Sequence, residues 1–420
     1  MADRASKGRT PIRRRLRNLF KKLGVSLVAT AVCLAILEVV FRIAGYRPLY
    51  DIYSKPDMFW RYDAQLGWSQ EPGARGVFVG PRPFPIEFRG DVRINSLGLR
   101  GPEIEPVPVG GYRVMFLGDS VVAGFEVEED ATFEGILQTR LSADLGIPVQ
   151  VVNAGVRGYG TDQSYIYYRD RGSQLHPDLV VFVASNNDLE DNTTLHRARR
   201  PFGKAAFRLE PDGSLEPVGS PVPQYPFCSG WRTDASFRPV EVDTTSSRTM
   251  CWLESNLADH SALFTFVTLR IQQNAKLVYK MNSLGTPDAQ TGTVGGTGPI
   301  GAISPAGRLT TALIRKMAEV ARSAGSHFAM VIDYKYDLVA LDKEALAADG
   351  IPILFDWEDL QVDGSFKGFT WKSDSHFNEK GHARFADLLE PRLLEQLKAI
   401  GAARTLSAAS ASVPARPPAP

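Results

Sequence analysis

Val114-Met-Phe-Leu-Gly-Asp-Ser-Val-Val-Ala-Gly124 is the stretch that decides the fold. An unbroken apolar run enters Gly118-Asp119-Ser120, and a second glycine closes the segment. A short apolar run bounded by turn residues is the pattern of a strand buried on both faces. The spacing therefore predicts a strand over Arg113–Leu117 with a polar turn at its carboxyl end.

Downstream of this strand, helical and strand patterns alternate. Ala131–Leu145 has helical spacing through Phe133, Ile136, Leu137 and Leu141, with Thr132 near its start. Val149–Asn153 reads as a second strand, Asp162–Arg171 as a helix, and Leu179–Ala184 as a third strand. Residues 190–256 hold many Pro, Ser and Arg with little periodicity, so they read as an irregular insertion. Leu257–Met281 is expected to be helical, and Gly285–Gly301 has the composition of a flexible loop. The alternation resumes with a helix at Pro305–Ala324, a strand at Phe328–Ile332, a short helix at Lys343–Ala348, a strand at Pro352–Phe355 and a last helix at Glu379–Ala399. Strands separated by helices imply parallel pairing with right-handed crossovers, hence a three-layer α/β/α sandwich with a mostly parallel, flavodoxin-like sheet.

With 44% hydrophobic and 23% charged residues the composition is that of a globular protein. Net charge is +1, yet residues 1–22 carry nine Arg and Lys against Asp3 alone, which leaves 39 basic and 46 acidic side chains elsewhere. The body therefore lacks the basic excess that neutralises phosphates, and no nucleic-acid partner is expected. After Lys22, Leu23–Phe41 is apolar except for Glu38. Nineteen helical residues span about 28 Å, close to the hydrocarbon thickness of a bilayer.

The basic end then stays in the cytoplasm and the rest of the chain lies outside, a single-pass protein of the inner membrane. A cleaved signal peptide is the alternative. Its apolar region before Ala29-Thr-Ala31 is short, and hydrophobicity continues past that site. Glu38 is costly near a membrane face, and Arg42, four residues on, can pair with it. The expected organisation is a basic segment 1–22, a spanning helix 23–44, a strand-containing lead-in 45–110, a main domain 111–401 with an insertion at about 190–304, and a disordered tail 402–420. Cys228 and Cys251 fall in the region expected outside the cytoplasm; a disulfide or two thiols are both open.

In a parallel sheet, functional groups gather beyond the carboxyl ends of the strands. Here those loops hold Gly118-Asp-Ser120, Asn153-Ala-Gly-Val-Arg-Gly-Tyr-Gly160 and Ser185-Asn-Asn-Asp188, while Asp374 and His376 precede the last helix. A serine hydroxyl needs a base, a base imidazole needs an orienting carboxylate, and an oxyanion needs waiting donors. This set meets those needs for acyl transfer.

The same four blocks resemble the SGNH (GDSL-like) hydrolase superfamily, in its membrane-anchored bacterial branch. The similarity covers about residues 111–189 and 305–399. It implies Ser120 as nucleophile and first oxyanion donor, Gly158 and Asn187 as further donors with Gly155 as second choice for the glycine, and His376 as general base. The block before the last helix usually places its acid three residues before the histidine, where this chain has Ser373; Asp374, two before, is the expected acid. Ser185 replaces a usual glycine and is expected to narrow the pocket.

Asp119 and Asp188 read as loop braces. His382 is expected to cap or pack on the last helix, and His176, His196, His260 and His327 show no partner pattern. No side-chain cluster has metal-ligand spacing, so neither metal nor cofactor is expected. The resemblance and the expected location imply an esterase of the cell envelope acting on acylated small molecules or glycans. An O-acyltransferase using the same site and a non-catalytic glycan- or partner-binding protein are the alternatives. Oligomeric state is left open.

Overall fold

A computed structural model of the chain describes residues 12–46, 48, 59–80, 87–107, 110–185, 187–195, 203–222, 232–233, 239–240, 249, 252–258, 260–268, 270, 303–334, 341–372 and 374–411. The Cys228/Cys251 pairing, the Gly285–Gly301 stretch, His196, Asn186 and Ser373 lie outside these residues. α1 (Ile12–Ile43) is one continuous helix whose apolar part, Leu16–Ile43, is long enough to cross a membrane and has no buried residues in its most apolar window. Glu38 pairs with Arg42 at 2.6 Å. It also accepts from Ser261 Oγ at 2.7 Å and from the Ala262 and Leu263 N–H groups at 3.0 Å. The lone charge of the apolar run thus caps the helical residues 262–268. Leu257 and Ala258 close a π-helical turn, Glu254–Ala258, and a turn at His260 separates it from the helix that starts at residue 262. Residues 271–281 of the expected Leu257–Met281 helix lie outside the described residues.

Two antiparallel hairpins follow: β1 (Trp60–Asp63) with β2 (Gly67–Gln70), and β3 (Arg75–Gly80) with β4 (Phe88–Arg93). Next come β5 (Tyr112–Gly118), α2 (Ser120–Ala123), α3 (Phe133–Leu145), β6 (Val149–Gly155), α4 (Thr161–Asp170), β7 (Leu179–Ala184) and α5 (Asp188–Asp191). The insertion, read as irregular, contains a hairpin of β8 (Ala206–Leu209) and β9 (Leu215–Val218). Gly213, at φ +84°, makes its turn, and Phe207 packs its ring 5.5 Å from Tyr165. α6 (Pro305–Ser323), β10 (His327–Ile332), α7 (Lys343–Ala348), α8 (Trp357–Leu360) and α9 (Glu379–Ala411) complete the chain. α9 continues past Ala402, where order was expected to end; its last turns are alanine-rich, the composition with the highest helix propensity.

The sheet runs β10–β7–β5–β6, all parallel. The expected strand at Pro352–Phe355 is reduced to a parallel bridge of Ile353 with Met330 beside β10. In order of appearance the strands lie 2-1-3-4-5, the flavodoxin-like arrangement. Both sheet faces are covered, so β5 is buried along its whole length. Met115 and Leu117 meet α4 and α6 on one face; Val114 and Phe116 meet α3 and α9 on the other. The strand order reverses at β5, and the crevice between the β5 and β7 carboxyl ends is where ligands bind in such sheets. Ser120 stands there.

Candidate active site

Gly118 and Gly155 set the position of Ser120. A Cβ at Gly118 would lie 2.6 Å from Val122 Cγ2, and one at Gly155 only 2.4 Å from Ala123 N. Only glycine lets α2 fold back this tightly on β5 and β6. Asp119 caps α2 by accepting from Val121 N at 2.9 Å, and it accepts from Ser120 Oγ at 3.3 Å. Asn153 holds the far end of α2, donating to Val122 O at 2.6 Å. Arg100, from the lead-in, donates to Ala123 O at 2.7 Å, to Val127 O at 2.6 Å and to Gly124 O. The carbonyls of Val122, Ala123, Gly124 and Val127 are therefore held by buried side chains.

Asp374 and His376 meet in the loop before α9. Asp374 Oδ1 accepts from His376 Nδ1 and, at 3.0 Å, from the His376 backbone N–H. Burial opposes the charge on Asp374, but these hydrogen bonds, the imidazole and Arg157 outweigh it and hold the carboxyl at about 2. A two-residue spacing thus suffices for acid and imidazole to pair, with the side chain wrapping back on its own loop. Glu126 also faces the ring, with Oε1 3.5 Å from His376 Nδ1. Among the described residues no hydrogen bond joins Ser120 Oγ to His376; the hydroxyl lies on Asp119. Free enzymes often hold such bonds loosely and tighten them with substrate.

Two of the three expected oxyanion donors, Gly158 and Asn187, meet at one turn, while Ser120 stands at the start of α2. Tyr159 N donates to Val156 O at 3.0 Å, and Gly158, buried at φ +82°, occupies the turn position that needs a left-handed backbone. Asn187 Nδ2 reaches the same turn, donating to Tyr159 O at 3.3 Å, and is also held by Asp191 Oδ2 at 2.8 Å. Gly155 N donates to Asn153 Oδ1 at 3.1 Å, so the second-choice donor is already committed.

Ser185 does not narrow a pocket; it turns inward. Its hydroxyl stands 3.1 Å from Asp119 Oδ1 and 2.8 Å from Asp333 Oδ2, and its N–H donates to Asp188 Oδ2 at 2.9 Å. One hydroxyl proton cannot serve two carboxylates. Burial first, then the Asp119 charge, raise Asp188 and Asp333 well above the usual carboxylate range, which favours the protonated form at Asp333 beside the Ser185 hydroxyl. Asp119 and Asp188 are accordingly braces, as expected. His382 is buried and accepts from Phe133 N at 3.3 Å at the start of α3. Burial, then Arg100 and His376, lower it to about 3, so it is neutral.

Four functional neighbours escaped the sequence reading: Arg100, Glu126, Arg157 and Asp333. Arg157 was a charge inside a glycine loop, and Glu126 a lone acid in Gly124-Phe-Glu-Val127. Both patterns signal a paired buried charge, though not its partner. Glu126, Asp374 and His376 place ligand atoms within 4.8 Å of one another, a spacing that could take a cation. Arg157, ion-paired with Glu126, already supplies a positive charge there.

Residues 116–384 match the profile of the GDSL-like Lipase/Acylhydrolase family. No curated protein matches the chain in sequence. The chain is similar to a lipase/acylhydrolase from Enterococcus faecalis at 13% identity, covering 68% of this chain and 96% of that one, with a TM-score of 0.33. It is similar to a psychrotrophic esterase from a Pseudoalteromonas species at 11% identity, covering 68% of this chain and 99% of that one, with a TM-score of 0.34. A family 3 carbohydrate esterase from Clostridium thermocellum gives 12% identity, 68% and 98% coverage and a TM-score of 0.34. Likeness at these TM-scores is loose and carries no inference about this chain.

Proposed function

From the premise that this chain belongs to the GDSL-like lipase/acylhydrolase family, whose members act on ester bonds, we propose a membrane-anchored serine esterase of the cell envelope. It hydrolyses small acyl esters, O-acetyl groups on envelope glycans among them, through an acyl-Ser120 intermediate. The observation that carries the reading is the Asp374–His376 pair in front of α9, with Ser120 at the sheet's switch point. Asp374 takes the Nδ1 proton of His376 as a hydrogen bond and leaves Nε2 as the lone pair that acts as base.

Catalysis requires Ser120 Oγ to turn from Asp119 to His376 Nε2. As Oγ bonds to the acyl carbon, its proton passes to Nε2; collapse of the tetrahedral adduct expels the alkoxide, which takes that proton from His376. Water, deprotonated by the same nitrogen, then releases the acid. The N–H of Ser120 at the start of α2, the N–H of Gly158 and the amide of Asn187 serve the oxyanion, with Asn187 giving up one of its present acceptors. An acceptor hydroxyl entering in place of water makes the same site an O-acyltransferase.

α1 supports the anchor: its apolar length and bare surface suit lipid, and the arginine-rich end favours a cytoplasmic N-terminus. The test is turnover of p-nitrophenyl acetate by the full chain in detergent. Ser120→Ala is expected to lower kcat by roughly 10³-fold or more. Equal rates for the two proteins contradict the proposal.

A further inference from the structure

We propose that Glu126 and Arg157 are a positioning pair for the His376 imidazole, Glu126 as a second carboxylate beside Nδ1 and Arg157 as the cation that moderates its charge. The inference rests on the reading of His376 as general base.

Glu126 Oε1 lies 3.5 Å from His376 Nδ1 and is ion-paired with Arg157. Its side chain is 1% exposed, and its second oxygen, also buried, has no hydrogen-bond partner among the described residues. A buried carboxylate with an unsatisfied oxygen is costly, and a residue serving packing alone has no reason to be charged there. Beside the base, the charge has a use. Once the imidazole has taken the Ser120 proton it is a cation, and two carboxylates then face it instead of one.

The two acids approach from different parts of the chain. Asp374 belongs to the loop of the histidine itself, whereas Glu126 follows α2 in the segment that bears Ser120. Glu126 therefore ties the ring to the nucleophile's own segment, and Asp374 alone cannot do that. Arg157 fixes Glu126 in turn. Its guanidinium lies over Phe78 at 4.7 Å and Phe125 at 5.7 Å, contacts that favour its place beside Glu126. Phe78 is on β3, and the ring of Phe88 on β4 packs at a tilt, 5.4 Å from that of Trp371 in the His376 loop. The second hairpin thus grips both the pair and the loop it serves. The titratable and charged groups around the ring are Asp374, Glu126, Arg157 behind Glu126, and the buried His382 of α9, with Arg100 beyond it.

The two charges act on the ring with opposite sign, and the experiment uses this. The pH profile of kcat/KM for p-nitrophenyl acetate is measured on the full chain in detergent. A negative charge near the ring favours the imidazolium, so Glu126→Gln is expected to move the acidic limb to lower pH by roughly half a unit or more. Arg157→Gln moves it to higher pH by a similar amount, and Arg157→Lys, which keeps the charge, restores the wild-type limb. Loss of rate with an unmoved limb in Glu126→Gln and Arg157→Gln overturns the proposal, because a packing role changes rate and not titration. Should Glu126→Gln fail to fold, the double variant E126Q/R157Q is read instead. There the nearer charge dominates and the limb still falls; an unmoved limb overturns the pair. A wild-type activity that does not depend on Ser120 is the distinct failure of the esterase reading, visible before any Glu126 variant is made.

Discussion

Burial opposes the charge on Asp374, yet its hydrogen bonds to His376 keep it ionised down to about pH 2. Its carboxyl, at about 2 against an ordinary 3.8, stabilises the fold fully above 3.8, and that contribution is lost as the pH falls toward 2. Ionisation of Asp374 therefore does not set the acidic limb of activity. Asp374→Asn leaves an amide that can steer the ring to the wrong tautomer, and kcat is expected to fall about 10²- to 10⁴-fold in the same turnover assay. Unchanged activity would transfer the acid role to Glu126. Asp374 and His376 were legible because they contact each other within one loop. Glu126 and Arg157 were not, since 31 residues separate them and their meeting depends on how the turn after β6 folds back on α2. The same limit hid Asp333, which sits 148 residues from Ser185.

At the scale of elements, α9 holds the site through His382. This imidazole is buried beneath the loop after α2 and accepts from the first N–H of α3. Its folded value of about 3 lies below the ordinary 6.5, so the unfolded chain binds the proton first. The contribution of His382 is thus complete above 6.5 and is lost as the pH falls toward 3, at a little over 1 kcal/mol per pH unit. Thermal unfolding followed at pH 7.5 and 4.5 is expected to show a marked drop in Tm for the wild type. His382→Gln, whose amide oxygen can still accept from Phe133, should show a smaller one. Equal drops would mean that His382 is not the group lost. The strands and helices of the main domain were readable because their burial periods are regular: Leu179–Ala184 and Lys343–Ala348 appear with the limits their patterns predict. The β8–β9 hairpin was not, because its short strands carry Arg, Glu and Pro and its burial depends on α4 and α6.

For the whole molecule, the lead-in proves inseparable from the site. Arg100 holds the carbonyls after Ser120, Gln70 donates to Gly155 O at 2.6 Å, and Phe78 and Phe88 flank the Arg157 and His376 segments. A sequence read element by element treats such hairpins as an appendage, since their partners are in loops that have no periodicity. α1 is joined to the body through Glu38 and residues 261–263, which gives a charged residue in an apolar helix a structural reason. Anchoring with the basic end inside predicts that an alkaline phosphatase reporter fused after residue 50 is active in intact cells. An intact but inactive alkaline phosphatase fusion at that position would reverse the orientation.

All of these arrangements converge on one hydroxyl. The direct test is to treat the full chain with a serine-directed alkyl phosphonate and locate the adduct by peptide mass spectrometry. The account predicts a single adduct on Ser120, absent from Ser120→Ala and slowed in Asp374→Asn. An unmodified Ser120 in a folded, fully treated protein, or an adduct that persists in Ser120→Ala, would contradict it.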